Sequence, residues 1–164
     1  MKINFFETNC QETPISAIIF GICDDDNKQP SYTDCSNPDK WVAVIKNPEA
    51  ISIIFTAIDN CIDIRRANGD QEKRCDSILT YHNNIVFVEL KNQAKDWITD
   101  AIEQLEITIQ YFMDSHDITK FKHKRAFACN KKHPTFQVIY QETKRRFWDK
   151  YHIRLDIQAT IAIP

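Results

Sequence analysis

Short apolar runs predict seven strands along the chain. Such runs, bounded by polar or turn-forming residues and rich in β-branched or aromatic side chains, favour strands over helices. The predicted strands span residues 3–6, 15–22, 41–45, 73–81, 85–91, 121–129 and 153–163. Asparagine tolerates a positive φ, so Asn83 and Asn84 predict a two-residue hairpin turn between the fourth and fifth strands.

Three segments carry apolar residues at the i, i+3, i+4 spacing of an amphipathic helix. The first begins at Pro48, with Asn47 as its N-cap, and runs to about residue 64. The second spans residues 97–114 and the third spans 134–151. Their apolar faces are, in order, Ile51, Ile54, Phe55, Ile58, Cys61 and Ile62; Ile98, Ala101, Ile102, Leu105, Ile109 and Phe112; and Phe136, Ile139, Tyr140, Thr143 and Phe147.

The order of these elements predicts an α/β fold. Helices that alternate with strands, and a hairpin in the middle, indicate a mixed central β-sheet flanked by helices. A chain of 164 residues, 43% of them hydrophobic, buries one core. We therefore expect a single domain with N-terminal strands in residues 1–46 as an extension, a core at about 47–132, and a basic helix and final strand in 133–164.

Composition excludes several classes of protein. With 27% charged residues beside ten phenylalanines and only two glycines, the chain is neither disordered nor of low complexity. No apolar run approaches the ~20 residues of a membrane span, and Glu7 interrupts the N-terminus before a signal sequence could form. We expect a cytoplasmic protein without a membrane partner.

The six cysteines show no metal-binding spacing. Cys10, Cys23, Cys35, Cys61, Cys75 and Cys129 contain no pair separated by two or four residues. In a cytoplasmic chain we interpret all six as reduced thiols.

Charge is distributed unevenly along the chain. The net charge is −2, yet residues 1–116 carry −9 and residues 117–164 carry +7. A basic final third is typical either of a phosphate-binding face or of a solvated helix surface, and charge alone does not separate the two. Asp24, Asp25 and Asp26 lack the spacing of a calcium loop and are predicted to lie in a solvated loop.

The predicted hairpin gathers charged side chains at its open end. With the turn at Asn83 and Asn84, Asp76 pairs with Lys91, and Ile78 pairs with Glu89. Cross-strand partners share a face, so Asp76, Glu89 and Lys91 are expected on one side of the sheet.

Two carboxylates beside a lysine suit phosphodiester chemistry. Like charges at the end of apolar strands raise a pKa unless a cation joins them. The carboxylates, the Leu90 carbonyl and water would suit Mg²⁺ or Mn²⁺. A neighbouring lysine can orient water or stabilise charge on a phosphoryl oxygen. An ordinary cross-strand ion pair between Asp76 and Lys91 is the structural alternative.

The spacing D-x12-E-x-K on a hairpin, preceded by a helix and followed by an amphipathic helix and another strand, resembles the PD-(D/E)XK nuclease superfamily. The resemblance covers about residues 41–132 and implies a restriction-endonuclease-like core. Cys75 stands where the family's name has proline. The resemblance implies that Asp76 and Glu89 are metal ligands and that Lys91 is catalytic.

Further site residues follow from the same resemblance. Glu49, in the first turn of the predicted first helix, is the candidate additional acid, with Asp59 and Asp63 behind it. Gln104 is the candidate for the glutamine that some members place on the following helix.

Several basic residues are candidates for phosphate contacts, whereas Phe127 and Trp148 are predicted to be core. The basic candidates are Lys124, Arg125, Lys131, Lys132, Lys144, Arg145 and Arg146.

The resemblance implies a magnesium-dependent (or manganese-dependent) nuclease. The resemblance favours DNA over RNA as the substrate. The small size of the domain favours a homodimer or a separate recognition subunit. The alternative is a catalytically inactive nuclease-fold subunit that binds nucleic acid or a partner protein. A more distant alternative is a ligand-binding α/β domain whose acids are structural.

Overall fold

A computed structural model of the protein describes residues 2–135 and 140–164. It contains nine strands and two helices in these residues. In chain order they are β1 (Ile19–Cys23), β2 (Tyr32–Asp34), β3 (Ala43–Lys46), β4 (Ile54–Ala57), β5 (Ser77–Tyr81), β6 (Asn84–Lys91), α1 (Ile98–Ser115), β7 (His123–Asn130), α2 (Gln141–Tyr151), β8 (Arg154–Asp156) and β9 (Thr160–Ala162).

The strands form two mixed sheets within one α/β domain. The larger sheet has the order β4-β5-β6-β7-β8, and the smaller has the order β2-β1-β3-β9. In the larger sheet β4, β5 and β6 are antiparallel neighbours, whereas β6, β7 and β8 run parallel. The prediction of an α/β fold with a mixed sheet is confirmed, and the second sheet was not predicted.

Two apolar cores lie on opposite faces of the larger sheet. Side chains such as Phe87 and Ala126 pack with Leu105 and Phe112 of α1 and with Phe147 of α2. The other face packs against the smaller sheet. The result is three layers: smaller sheet, larger sheet and helices.

Strand β6 is covered on both faces, as its near-continuous apolar sequence predicts. Its six inner residues are all buried, and only its two end residues, Asn84 and Lys91, are partly exposed. Helix α1 forms within one residue of its predicted bounds. The core of the hairpin, α1 and β7 therefore has the predicted order.

The helix predicted from Pro48 to about residue 64 is wrong, and β4 occupies part of this segment. Asn47 does not cap a helix. Its buried side chain accepts a hydrogen bond from Ile51 N at 3.1 Å and donates to Ile51 O at 2.9 Å. These bonds, with Ala50 at a φ of 50°, close a tight turn. The chain then reverses, and β-branched residues such as Ile54 pair with β5.

Both ends of the chain also differ from the predictions. Residues 3–6 form no strand, and the strand predicted at 15–22 forms only at β1. The strand predicted at 153–163 divides into β8 and β9, which belong to different sheets. Helix α2 begins at Gln141 rather than at 134. Phe136 and Ile139 of its predicted apolar face lie outside the described residues.

The prediction that all six cysteines are reduced is wrong for two of them. Cys10 and Cys61 form a disulfide across a sequence separation of 51 residues, with their Cα atoms 5.9 Å apart. Tertiary packing brings the N-terminal segment to the turn after β4, so no local spacing indicates the bond. Cys23, Cys35, Cys75 and Cys129 are free thiols.

No helix within residues 2–135 and 140–164 has the length and apolar character needed to cross a membrane.

Candidate functional site

The hairpin register differs by two residues from the prediction. Tyr81 pairs with Asn84, so the turn consists of His82 and Asn83, with His82 at a φ of 48°. The paired residues end at Ser77 and Val88, and Asp76 N–H also donates to Val88 O, so the ladder is interrupted at Asp76 and the predicted pairing of Asp76 with Lys91 does not form. Because a strand repeats every two residues, Glu89 and Lys91 stay on the α1 side of the sheet, and the Asp76 carboxyl contacts Glu89 there.

Asp76 is held in place by four hydrogen bonds from three parts of the chain. Its N–H donates to Val88 O at 3.1 Å, and its Oδ2 accepts from Leu90 N at 2.7 Å. Its carbonyl accepts from Ile58 N at 2.8 Å and from the Ser31 hydroxyl at 3.2 Å. These bonds fix the carboxyl group at the open end of the hairpin.

Helix α1 is tied to the segment that precedes Asp76. The Thr108 hydroxyl accepts a hydrogen bond from Cys75 N at 2.7 Å, and Gln104 Nε2 donates to Arg74 O at 3.1 Å. These two polar contacts set the height of α1 above the hairpin. The first half of the helix thereby covers the charged cluster.

Asp76 and Glu89 form a buried carboxyl pair. Asp76 is 7% exposed and Glu89 is 2% exposed. Burial raises the pKa of Asp76 to about 7. Burial also raises the pKa of Glu89, and the adjacent Asp76 charge raises it further. The pair therefore carries less than its full negative charge near neutral pH when no cation is present.

Lys91 lies beside this pair and contacts three oxygen acceptors. Its Nζ is 3.3 Å from Glu89 Oε2, 2.5 Å from Asp100 Oδ2 and 2.7 Å from Gln104 Oε1. Burial lowers the pKa of Lys91, but Glu89 and Asp100 outweigh burial, so the pKa is raised. The ammonium group is thus charged and directed toward Glu89.

These residues open onto a cleft of about 280 Å³ at the C-terminal end of β6. We call it the acidic cleft. It is lined by Asp24, Asp26, Asp59, Asp76, Glu89, Leu90, Lys91 and Gln104, among other residues. Of the predicted site residues, the structure brings together Asp76, Glu89, Leu90, Lys91 and Gln104.

Two acids predicted on a first helix do not line the acidic cleft. Glu49 is exposed in the turn after β3, because the helix that was to carry it does not form. Asp63 is exposed and pairs with Arg65 at 3.1 Å. Asp59 does line the cleft, and Arg74 Nη2 holds it at 3.1 Å.

Sequence reasoning missed three contributors to the site. Asp24 and Asp26 follow β1 and line the cleft, although their run of acids reads as a solvated loop. Asp100 contacts Lys91 from the first turn of α1. The only available signal was the position of Asp100 four residues before Gln104, which places both on one helix face.

The donor set fits a hard divalent cation that retains water. Within the described ranges, no group of three or more His, Cys, Asp or Glu side chains could hold a metal ion. However, Glu89 Oε1 is buried and has no hydrogen-bond donor among the described residues, although the carboxyl group contacts that of Asp76. A buried unpartnered carboxyl oxygen is uncommon and needs an explanation. Mg²⁺ usually binds through one or two carboxylates and keeps several waters. Asp76 and Glu89 could supply the two carboxylates.

The basic residues predicted to contact nucleic acid lie in three places. Lys131 and Lys132 follow β7 near Lys91, and Lys131 Nζ donates to Asp39 O at 2.5 Å. Lys144, Arg145 and Arg146 lie on α2, where Arg146 pairs with Glu106 at 2.6 Å. Lys124 and Arg125 lie at the N-terminal end of β7, away from the acidic cleft.

In comparisons with known proteins, no family model, no curated protein and no solved structure matches this chain. The functional argument therefore depends on the geometry of the acidic cleft.

Proposed function

We propose that the protein is a metal-dependent nuclease with a restriction-endonuclease-like core. The observation that carries the proposal is the buried pair Asp76 and Glu89 beside Lys91, with Glu89 Oε1 unpartnered. Structural ion pairs are usually exposed or fully satisfied, whereas this cluster is buried and incomplete. Incomplete charged clusters in a cleft are typical of functional sites.

In this proposal Asp76 and Glu89 bind Mg²⁺ or Mn²⁺, and the Leu90 carbonyl is the further candidate ligand. When bound, the cation supplies positive charge for a phosphoryl oxygen and favours ionisation of water. The two carboxyl groups hold the cation at the end of a rigid strand. Leu90 N–H keeps Asp76 oriented through its 2.7 Å hydrogen bond.

Lys91 contributes a fixed positive charge to the reaction. Its ammonium donates hydrogen bonds and stabilises the negative charge that develops on the phosphodiester. Because the pKa of Lys91 is raised, the group acts as a cation rather than as a proton acceptor. Gln104 orients the ammonium by accepting one of its hydrogen bonds. DNA remains the proposed substrate ahead of RNA on resemblance.

The proposal is tested by incubating linear, circular and single-stranded DNA, and RNA, with the protein and Mg²⁺ or Mn²⁺. We expect cleavage by the wild type and a loss of about a hundredfold or more in Asp76→Asn and Lys91→Ala. Glu49→Gln is the matched control, because Glu49 is an exposed acid outside the cleft, and it should cleave at the wild-type rate.

In one outcome, calorimetry shows that the folded wild type binds Mg²⁺ and that Asp76→Asn does not. If the wild type then cleaves none of the nucleic acids, the alternative of an inactive nuclease-fold subunit is favoured. The absence of a three-residue metal-ligand group in the described ranges is the observation on the side of that alternative. No cutting and no Asp76-dependent metal binding would overturn the proposal.

A further inference from the structure

A second cleft lies at the N-terminal ends of the parallel strands β6, β7 and β8. Its volume is about 520 Å³, within the range of ordinary ligand pockets. We call it the basic cleft. It is lined by Asn84, Lys122, His123, Lys124, Arg125, Trp148, His152, Arg154 and Pro164.

Trp148 is the unexpected member of this cleft. The sequence predicts it to be core, yet it is 55% exposed. Trp97 is buried and Trp41 is half-buried over Gly21, so the other two tryptophans follow the ordinary rule. The Trp148 ring contacts His152 edge-on, with 5.5 Å between centroids. A large exposed aromatic side chain in a cleft is typical of a binding site.

The side chains that line the basic cleft are positive, with no Asp or Glu among the described residues that form it. Four Lys or Arg side chains and two histidines line it. Arg154 has an acidic partner, Asp156, at 3.6 Å, but Asp156 is not part of the lining. Lys124 donates to Phe121 O, a neutral acceptor, at 3.2 Å. The field in the cleft therefore favours an anionic ligand.

Arg125 is positioned by neutral contacts that leave its charge uncompensated. Its Nη1 donates to Ala162 O at 2.9 Å, and its Nη2 donates to Tyr81 OH at 3.0 Å. Its guanidinium lies 5.4 Å from the centroid of the Phe127 ring. The side chain is thus fixed between the two sheets at the edge of the cleft, and its order does not depend on an acid.

We propose that the basic cleft binds single-stranded nucleic acid, with a base stacked on Trp148 and phosphates near the surrounding cations. Stacking on an exposed ring requires an unpaired base. Because every base has a π-face, it brings little sequence preference. Lysine and arginine around the ring supply the sequence-independent attraction for the backbone. One aromatic ring among dispersed charges offers no extended apolar face for a lipid surface.

The basic cleft is separate from the acidic cleft. Asn84 and Lys91 mark the two ends of β6, so at ~3.3 Å per residue the clefts are about 20 Å apart along the strand. The inference therefore goes beyond the proposed nuclease activity. A nucleic-acid strand held at the basic cleft should therefore remain bound when no cation occupies the acidic cleft.

The test measures binding of a short oligothymidylate in EDTA. Binding is detected by tryptophan fluorescence and by the anisotropy of a labelled oligonucleotide. Quenching should come from Trp148, because Trp97 is buried and Trp41 is half-buried. We expect Trp148→Ala to raise Kd about tenfold or more and Trp148→Phe to raise it much less. Thermal unfolding checks that both variants fold.

Charge variants provide the second arm. Lys122→Gln should weaken binding and reduce the slope of log K against log salt by about one. Lys28→Gln is the matched control, since Lys28 is an exposed lysine outside the basic cleft, and it should leave both quantities unchanged.

Several results would overturn the inference. These are equal affinity of Trp148→Ala and wild type, preference for duplex over single strand, or binding to anionic phospholipid vesicles with none to the oligonucleotide. Asp76→Asn should bind the oligonucleotide like the wild type. Retained binding with no cleavage would count against the nuclease proposal alone, and cleavage without Trp148-dependent binding would count against this inference alone.

Discussion

The two ends of β6 differ in the sign and in the burial of their charges. At the C-terminal end, the acidic cleft contains five acids and one lysine, and its central pair is almost fully buried. At the N-terminal end, four Lys or Arg side chains and two histidines surround an exposed tryptophan. Buried charges interact strongly and shift pKa values, whereas exposed charges are screened by salt. The same strand thus ends in an acidic cleft on one side and in a basic cleft on the other.

The largest expected effect comes from the Cys10–Cys61 disulfide, which lies next to a segment that contributes to the acidic cleft. Cys61 closely follows two residues of that segment. Ile58 N–H donates to Asp76 O, and Asp59 lines the cleft. A cross-link over 51 residues contributes about 4 kcal/mol by the chain-entropy model. We expect the double variant Cys10→Ser, Cys61→Ser to lose about that much free energy of unfolding in urea.

This variant also separates the two clefts. Faster hydrogen exchange at the Ile58 amide, with unchanged oligonucleotide affinity, is expected. Cys35→Ser is the control, because Cys35 is an exposed free thiol. If the variant loses oligonucleotide affinity as well as protection of the Ile58 amide, the disulfide supports the whole fold rather than the acidic end.

The second effect is a pH dependence confined to the acidic end. The pKa of Asp76 is raised from 3.8 to about 7, so the folded chain keeps a proton that the unfolded chain releases at lower pH. This contribution to stability is complete below about pH 4 and falls as the pH rises toward 7. In EDTA we expect a loss of about 2 kcal/mol between pH 5 and pH 7.

Thermal unfolding across this pH range provides the measurement. Asp76→Asn should show a flatter profile, whereas Arg154→Gln in the basic cleft should follow the wild type. A wild-type profile that rises from pH 5 to pH 7 would contradict the buried-pair description.

The smallest effect concerns how Lys91 is held. Asp100→Ala removes one of three oxygen contacts of Lys91, so we expect cleavage to fall about tenfold with little change in stability. Lys73→Ala is the control, because Lys73 lies 3.5 Å from Asp100 on the other side and does not contact the acid pair. If both variants lose the same activity, Asp100 acts through the surface network and not through Lys91.

The sequence predicted that Asp76, Glu89 and Lys91 meet, and the structure brings them together. Glu89 and Lys91 share a face in either register, whereas Asp76 lies beyond the last paired residues and reaches Glu89 and Leu90 through its side chain. Gln104 lies beside Lys91, as expected, because helix α1 forms within one residue of its predicted bounds. These predictions depend on local patterns that tertiary contacts did not override.

The remaining site residues depend on contacts between distant segments. Asp24 and Asp59 reach the acidic cleft from β1 and from the turn after β4, and no short pattern encodes that meeting. The failed helix shows the same limit, because the buried Asn47 side chain stabilises a turn where local spacing indicated a helix. Trp148 looked like core because composition cannot show which helix face remains uncovered.

The position of Glu89 on β6 also sets the timescale on which this part of the site can open. Glu89 and Leu90 belong to the strand that both cores enclose, so their amides should exchange only when the domain unfolds. The β6 part of the site then has no local opening mode of its own. Its geometry lasts as long as the native state, and a core substitution far from the cleft would reduce activity by lowering the population of folded molecules.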